Sequence, residues 1–385
     1  MLSRKLTQST PMIHFQAKEE GVTLRATEVK PKLDRFIYRW CQKNGRVIQD
    51  EWLVEGKTKD KSSRHRALDY KLRFVAKGTA QIAKPKSGLF FGDMGAAEED
   101  KRDTIYYKDP IEMKILCLNQ DLEKILDECV DLFFLTTNFG TRQDKSFGGF
   151  VTEKWQTAEK KLAWWFGSDR VYRMDYPKGT NIDTIMNDVR IIYQVLKSGY
   201  NFKQNYIKSF LTQCFLDHKI GGEKRYIKHT GVGPSVGKKP QGSVDDFLYI
   251  RGLLGVGDEQ MWQNEKAGKT KIRFLCKDEM IGRVPSPLLF KIVGTTLYMI
   301  LVELPDKVYG TKYCFDGGKK TSNAIPIPTK EKLDELELDM KTILRRYVDE
   351  LNGNGKYGIR NNMSSISRPA DKPFFVRALK FNPVN

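Results

Sequence analysis

Two one-sided helical stripes, interleaved with short β-like runs, constrain the first half of this chain more than any other feature. Leu33, Phe36, Ile37 and Trp40 recur at i, i+3, i+4 and i+7, so they share one face of a helix, and Pro31 before them suits a first helical turn. Leu122, Ile125, Leu126, Cys129, Val130 and Phe133 draw a second stripe, behind Asn119 as N-cap and with Asp121 and Glu123 in the first turn. A helix with one apolar face must bury it against another element. The available partners are strands. Lys5–Gln16 alternates loosely and is broken by Pro11, which suits an edge or bulged strand. Asp69–Ala76, Glu112–Asn119 and Gly148–Trp155 are the others, with a glycine- and acid-rich loop over residues 86–103. The order strand, helix, strand, strand, helix, strand is that of a ferredoxin-like, RRM-type unit.

The second half reads as more helical. Asn181–Asn201 and Tyr206–Lys219 are helix candidates, Ile220–Gly242 is a basic glycine-rich loop, and Val244–Gly255 looks helical. Ser286–Gly294 and Thr296–Leu304 pair as strands around Gly294. Leu333, Leu336, Met340, Ile343, Leu344, Tyr347 and Leu351 mark one long amphipathic helix stopped at Asn352–Gly355, and Pro373–Phe381 adds a last strand. The expected fold class is α+β: two ferredoxin-like (RRM-type) domains, residues 1–160 and 161–385, with helical insertions in the second.

A chain of 385 residues is long enough for two cores. Lys and Arg number 66 against 48 Asp and Glu, a net charge of +18, which favours a polyanion through counterion release, nucleic acid first. The apolar run Leu297–Val302 falls short of the roughly 18 to 20 residues a membrane span needs. The start carries neither an apolar signal region nor a myristoylation glycine. No membrane partner and a cytoplasmic setting are therefore expected. The six cysteines are scattered, with no C-x-x-C and no histidine cluster, so reduced thiols and no metal are expected.

The stretch Asn138–Phe150, NFGTRQDKSFGGF, places three glycines and two cations directly after the second helix. Glycine permits positive φ and close approach of the main chain, so successive N–H groups can face a phosphate while Arg142 and Lys145 add charge. Simple turn chemistry explains the same glycines. No Walker A loop is present: between Gly231 and Gly237 lie five residues, and Lys239 stands where a hydroxyl is required. His14 is the one catalytic candidate, a general acid or base for RNA cleavage, although it shares a side with Leu6 and Met12 and so also reads as a packed histidine. Arg273–Arg283 and Lys372–Phe381 interleave aromatics with cations, as base-stacking surfaces and amphipathic strands both do. Acids in Asp127–Asp131 and Asp334–Asp339 lie on outer helix faces and converge on no metal.

Three segments, TLRATEVKPKLDRFIYRW, FGTRQDKSFGGF and RVPSPLLFK, together resemble the RAMP superfamily of CRISPR effector proteins. Chain length, two domains and the late SPLLFK are most similar to the first-numbered, head subunit of the type III-B Cmr complex. The resemblance implies a non-catalytic, cofactor-free subunit of an antiviral ribonucleoprotein. It would bind guide RNA, near its 3′ region, target RNA, or both, beside other RAMP subunits. Carried over residue by residue, the loop match puts Gly140, Thr141, Arg142, Lys145, Ser146, Gly148 and Gly149 on the RNA backbone. The helix match adds Lys30, with Lys32 and Arg35 on its basic stripe; the second basic loop adds Lys238 and Lys239, and the SP segment Ser286 and Lys291. Pro31 stands where the family often has glycine, the usual arginine is displaced to Arg35, and Ser146 replaces the first glycine of the family's G-F-G. The rival from the same superfamily is a metal-independent, repeat-processing endoribonuclease using His14.

Overall fold

The first strand, β1 (Leu2–Gln8), turns Arg4, Leu6 and Gln8 inward and leaves Ser3, Lys5 and Thr7 exposed, the period-two pattern of a sheet covered on one face. The computed structural model describes residues 1–14, 18–19, 22–54, 66–83, 103–202, 205–232, 247–257, 259–264, 268–276, 283–318, 321–364 and 379–384. After β1 come α1 (Ala26–Lys43), β2 (Tyr70–Val75), β3 (Ile111–Cys117), α2 (Gln120–Thr136) and β4 (Phe150–Thr152). The strands form an antiparallel sheet in the order β2-β3-β1-β4, with Leu6 opposite both Ile111 and Thr152.

β1 is therefore an inner strand, not the expected edge. Pro11 lies beyond it, where the chain leaves this sheet and Met12–Ile13 joins a small second one with Thr104–Tyr106 and Gln81–Ala83. α1 begins at Ala26, five residues before Pro31. The bond that Pro31 cannot donate would go to Thr27, and both residues are exposed, so water can satisfy that carbonyl. α2 starts as expected: the Asn119 side chain accepts from Asp121 N and Leu122 N, both at 3.0 Å.

The second half repeats the arrangement. β5 (Val171–Asp175), α3 (Ile182–Lys197), β6 (Leu288–Val293), β7 (Thr296–Leu301), α4 (Met340–Asn352) and β8 (Asn382–Pro383) build an antiparallel sheet in the order β6-β7-β5-β8. That is the first sheet's permutation, strand for strand. The connections inserted into it are as much sheet as helix. Between α3 and β6 lie the helix Phe210–Asp217 and the hairpin Glu259–Asn264/Gly268–Cys276, extended by Lys312–Asp316 and Ile325–Pro326 into four strands.

Three expectations are corrected here. Tyr206 belongs to a short hairpin, and the helix starts only at Phe210 behind Ser209, whose side chain caps Thr212 N. Within Val244–Gly255 the described residues form a two-residue strand and a 3₁₀ turn, Ile250–Leu254, because Gly252 lies so close to Ile327 that a Cβ would sit 2.6 Å from it. The long C-terminal helix is two. Lys330–Glu335 stops, Glu337 takes φ 52°, and Asp339 caps α4 through Lys341 N and Thr342 N. Of the tail, residues 373–378 lie outside the described residues; the strand that closes the second sheet is β8.

β7 is buried at all six positions. Leu297, Met299 and Leu301 pack into the core with α3 and α4, while Tyr298 and Ile300 join the core of the first half. The layers are thus first sheet, α1 with α2, second sheet, α3 with α4. A strand covered on both faces reads as a continuous apolar run, which is what LYMILV is. Among the described residues no helix is long and apolar enough to cross a membrane.

Candidate nucleic-acid interface

The last carbonyls of α2 have no intrahelical partner and sit at the negative end of its dipole. Lys291 supplies the missing donors from the second sheet. Its side chain is fully buried, and Nζ donates to Phe134 O at 2.8 Å, Thr137 O at 2.9 Å and Phe150 O at 2.9 Å. Burial pulls its ionisation well below the ordinary lysine value, while three acceptors favour the form with three N–H groups. Lys291 is an internal tie and has no surface to offer RNA, which corrects its assignment.

The glycine loop begins at this tie. Asn138 pairs with Gly149, Phe139 N donates to Gly148 O at 2.9 Å, Gly148 N to Pro11 O at 2.9 Å, and Gly149 N to the Thr10 hydroxyl at 2.7 Å. The Asn138 amide donates across the loop to Gln143 O and out to Phe290 O. Phe290 N in turn donates to Asp144 O at 3.0 Å. Phe139, Phe147 and Phe150 are buried beneath. The glycines are used for approach: a Cβ on Gly148 would lie 1.9 Å from Phe139 O, and one on Gly140 2.7 Å from Ile13 O.

These bonds change the expected chemistry of the loop amides. The Gly140 N–H donates to Glu28 Oε1 at 2.9 Å, and Lys32 Nζ reaches the same oxygen at 3.1 Å. A carboxylate from α1 thus occupies the anion position that the sequence assigned to a phosphate. Lys32 also holds Asn138 O and Gln143, and burial lowers its ionisation, with the exposed Arg35 nearby adding to that. Lys30 is tied to Asp34 and Leu68 O and lies 4.1 Å over the Tyr70 ring. What the loop leaves exposed is its tip, Thr141 and Gln143, with Arg142 half-buried between them at φ 57°. Ser146 is buried and holds φ 67°.

Lys145 turns the other way, into the second half, with Nζ 4.5 Å from the centre of the Tyr193 ring on α3. Tyr193 hydrogen-bonds Ser286 and donates to Leu254 O at 2.9 Å. Lys197, one turn along α3, faces the same ring at 5.8 Å and donates to Leu254 O and Gly255 O at 3.2 and 2.9 Å. Behind it lie Arg251, ion-paired with Glu223, and Lys224 beside Tyr206. The structure therefore gathers Lys32, Arg142, Lys145 and Ser286 around the junction of the two halves. Tyr193, Lys197, Lys224 and Arg251 join them and were missed by the sequence reading; Lys238 and Lys239 lie outside the described residues.

Comparison with known families settles the lineage. Residues 1–200 match the model of the Cmr1 N-terminal domain and residues 206–366 that of the Cmr1 C-terminal domain. The chain belongs to the Cmr1 family. A Cmr1 chain is a subunit of the type III-B CRISPR Cmr complex, where it assembles with other Cmr subunits and CRISPR RNA in antiviral defence. No curated protein matches this sequence. In this Cmr1 chain the departure at Ser146 has a physical reading. The family's glycine position is one of positive φ, and Ser146 adopts it with a side chain.

His14, the residue on which the nuclease alternative depends, is 4% exposed, and its N–H donates to Asp103 O at 3.3 Å. Burial lowers its ionisation, Arg25 adds to that, and Glu28 and Glu19 oppose it. It is a packed histidine with no surface at which a ribose hydroxyl could meet it. Among the described residues no group of three or more His, Cys, Asp or Glu side chains could hold a metal.

Proposed function

We propose that this Cmr1 chain is a non-catalytic, RNA-binding architectural subunit of the Cmr complex that grips the backbone of the guide RNA toward its 3′ region, with target RNA beside it. The observation that carries the reading is the glycine loop, braced at both ends, which holds Arg142 at an exposed tip and Lys145 at the junction of the two halves. Affinity comes from phosphate contacts, and sequence is read by pairing between guide and target. We take the repeated strand order as two ferredoxin-like units divided near residue 160, a division supported by the change of sheet between β4 and β5. The setting is the cytoplasm.

The test is single-stranded RNA binding by an Arg142→Ala/Lys145→Ala variant over a salt series. Binding weakens, and the log–log salt slope falls by about 0.7 per lost phosphate contact. If affinity and slope both stay at wild-type values, the loop is a turn and nothing more.

A further inference from the structure

The junction behind the glycine loop collects more positive charge than protein acids neutralise. Lys145 comes from the loop, Lys197 from α3, Arg251 from the 3₁₀ turn and Lys224 from the helix Glu223–Ile227; the acids facing them are Asp144 and Glu223. Arg251 is 4% exposed and its Glu223 partner 1% exposed, so this pair forms the floor. The three lysines keep partial access to solvent above it. Tyr206, 45% exposed and 4.9 Å from Lys224 Nζ, marks the mouth.

Like charges held together away from bulk water repel, and the repulsion shows in their ionisation. Lys197 is pushed down to about 7, first by burial and then by Lys145 and Arg251, with Asp144 and Glu223 opposing. Lys224 is pushed down to about 8, first by burial and then by Arg251 and Lys228. A neutral Lys197 amine has two N–H groups, and Leu254 O and Gly255 O take both. Protonation adds a third donor that these two carbonyls do not use.

We propose that Lys145, Lys197, Lys224 and Arg251 line a cleft between the glycine loop and the second half that takes one internal phosphodiester of a bound RNA strand. The proposal rests on the RNA-binding reading above and locates a phosphate on residues that reading does not use. A phosphodiester there supplies the negative charge the cleft lacks, and its oxygens accept from the third N–H of Lys197. Binding therefore takes up protons, and affinity rises as pH falls through the range in which Lys197 and Lys224 titrate.

Fluorescence anisotropy with a labelled single-stranded RNA ending in hydroxyl groups, at fixed salt, tests this. Uptake of one proton makes binding about tenfold tighter near pH ~6.5 than near pH ~8.5. Lys197→Arg, charged throughout, weakens that pH dependence, and Lys197→Met lowers affinity at the acid end toward the wild-type value at the alkaline end. Lys71→Met, which removes one exposed cation from the outer face of the first sheet, leaves the pH dependence intact. An RNA bound only when it carries a terminal phosphate would overturn the internal-phosphodiester assignment. RNA binding that ignores pH and both Lys197 variants would overturn the cleft while leaving the loop reading standing. Absence of RNA binding altogether would overturn the loop reading instead.

Discussion

Lys291→Met offers the sharpest perturbation, because the family resemblance and the structure give this residue opposite roles. Methionine keeps the length of the stem and removes the ammonium, leaving three carbonyls without their donor. The carbonyls of Phe134 and Thr137 lie at the end of α2, where the helix itself cannot satisfy them, and each buried group left unpaired costs about 1–3 kcal/mol. Relief from burying a charge offsets part of this. The expected net loss is about 3 kcal/mol, a large share of the roughly 5–15 kcal/mol that holds a domain together. At about 2–4 °C per kcal/mol for a chain of this size, the melting temperature falls by roughly 6–12 °C. Urea titration should show the midpoint moving down with the slope unchanged. The salt dependence of RNA binding by the folded variant should match wild type, since no phosphate contact is lost. A variant within about 1 kcal/mol of wild type whose salt slope drops by about 0.7 would refute the strut and restore Lys291 to the RNA.

Two further substitutions probe the loop. Ser146→Gly should raise the melting temperature by about 2–4 °C. It removes a left-handed non-glycine residue, which costs roughly 1–2 kcal/mol, and a buried hydroxyl with no partner among the described residues, against about 0.5–1 kcal/mol of added freedom in the unfolded chain. A lower melting temperature would show that the serine is not strained. Gly148→Ala should cost at least about 3 kcal/mol, since its methyl meets the Phe139 carbonyl, whereas Gly294→Ala, also at positive φ but with nothing within 4 Å, should cost only about 1 kcal/mol. Equal losses in the two would show that backbone conformation alone, and not close approach, requires the loop glycine.

What could be read from the sequence was what local chemistry decides. The stripe from Leu122 to Phe133, the Asn119 cap and the hairpin around Gly294 are set by neighbours in the chain, and the structure holds them as read. The break at Glu337 was hidden because Leu333, Leu336, Ile343 and Leu344 bury into one core on both sides of it, so the apolar period runs through the gap. β5 was missed because five residues between aromatic-rich turns carry almost no alternation, and only pairing with β7 makes them a strand. Lys291 did leave a signal. A lone lysine between Phe290 and Ile292 in a strand otherwise apolar must find acceptors or face solvent, but which carbonyls receive it depends on α2, far away in the chain. Lys197, Lys224 and Arg251 left none, since each alone reads as an ordinary surface cation.

The two repeated units are not equivalent in what they can bind. The second sheet lies between the helices of both halves, so neither of its faces is open to a ligand. The first sheet keeps Lys5, Lys71, Arg73 and Lys114 on its outer face, with Arg73 directly opposite Lys114, a like-charge pair that adds nothing to stability. Covering the second sheet also has a benefit for the junction. Lys291 ties that sheet to α2, Asn138 and Asp144 tie the loop to Phe290, and Lys145 lies over a ring of α3. The loop cations are therefore fixed relative to Lys197 and Arg251 before any RNA arrives, and a strand entering there pays for little protein ordering. On this argument, association should proceed without closure of one half upon the other, and small-angle scattering of the chain should keep the same radius of gyration as RNA is added, apart from the mass of the RNA itself. A contraction of the protein on binding would show that the junction is a hinge.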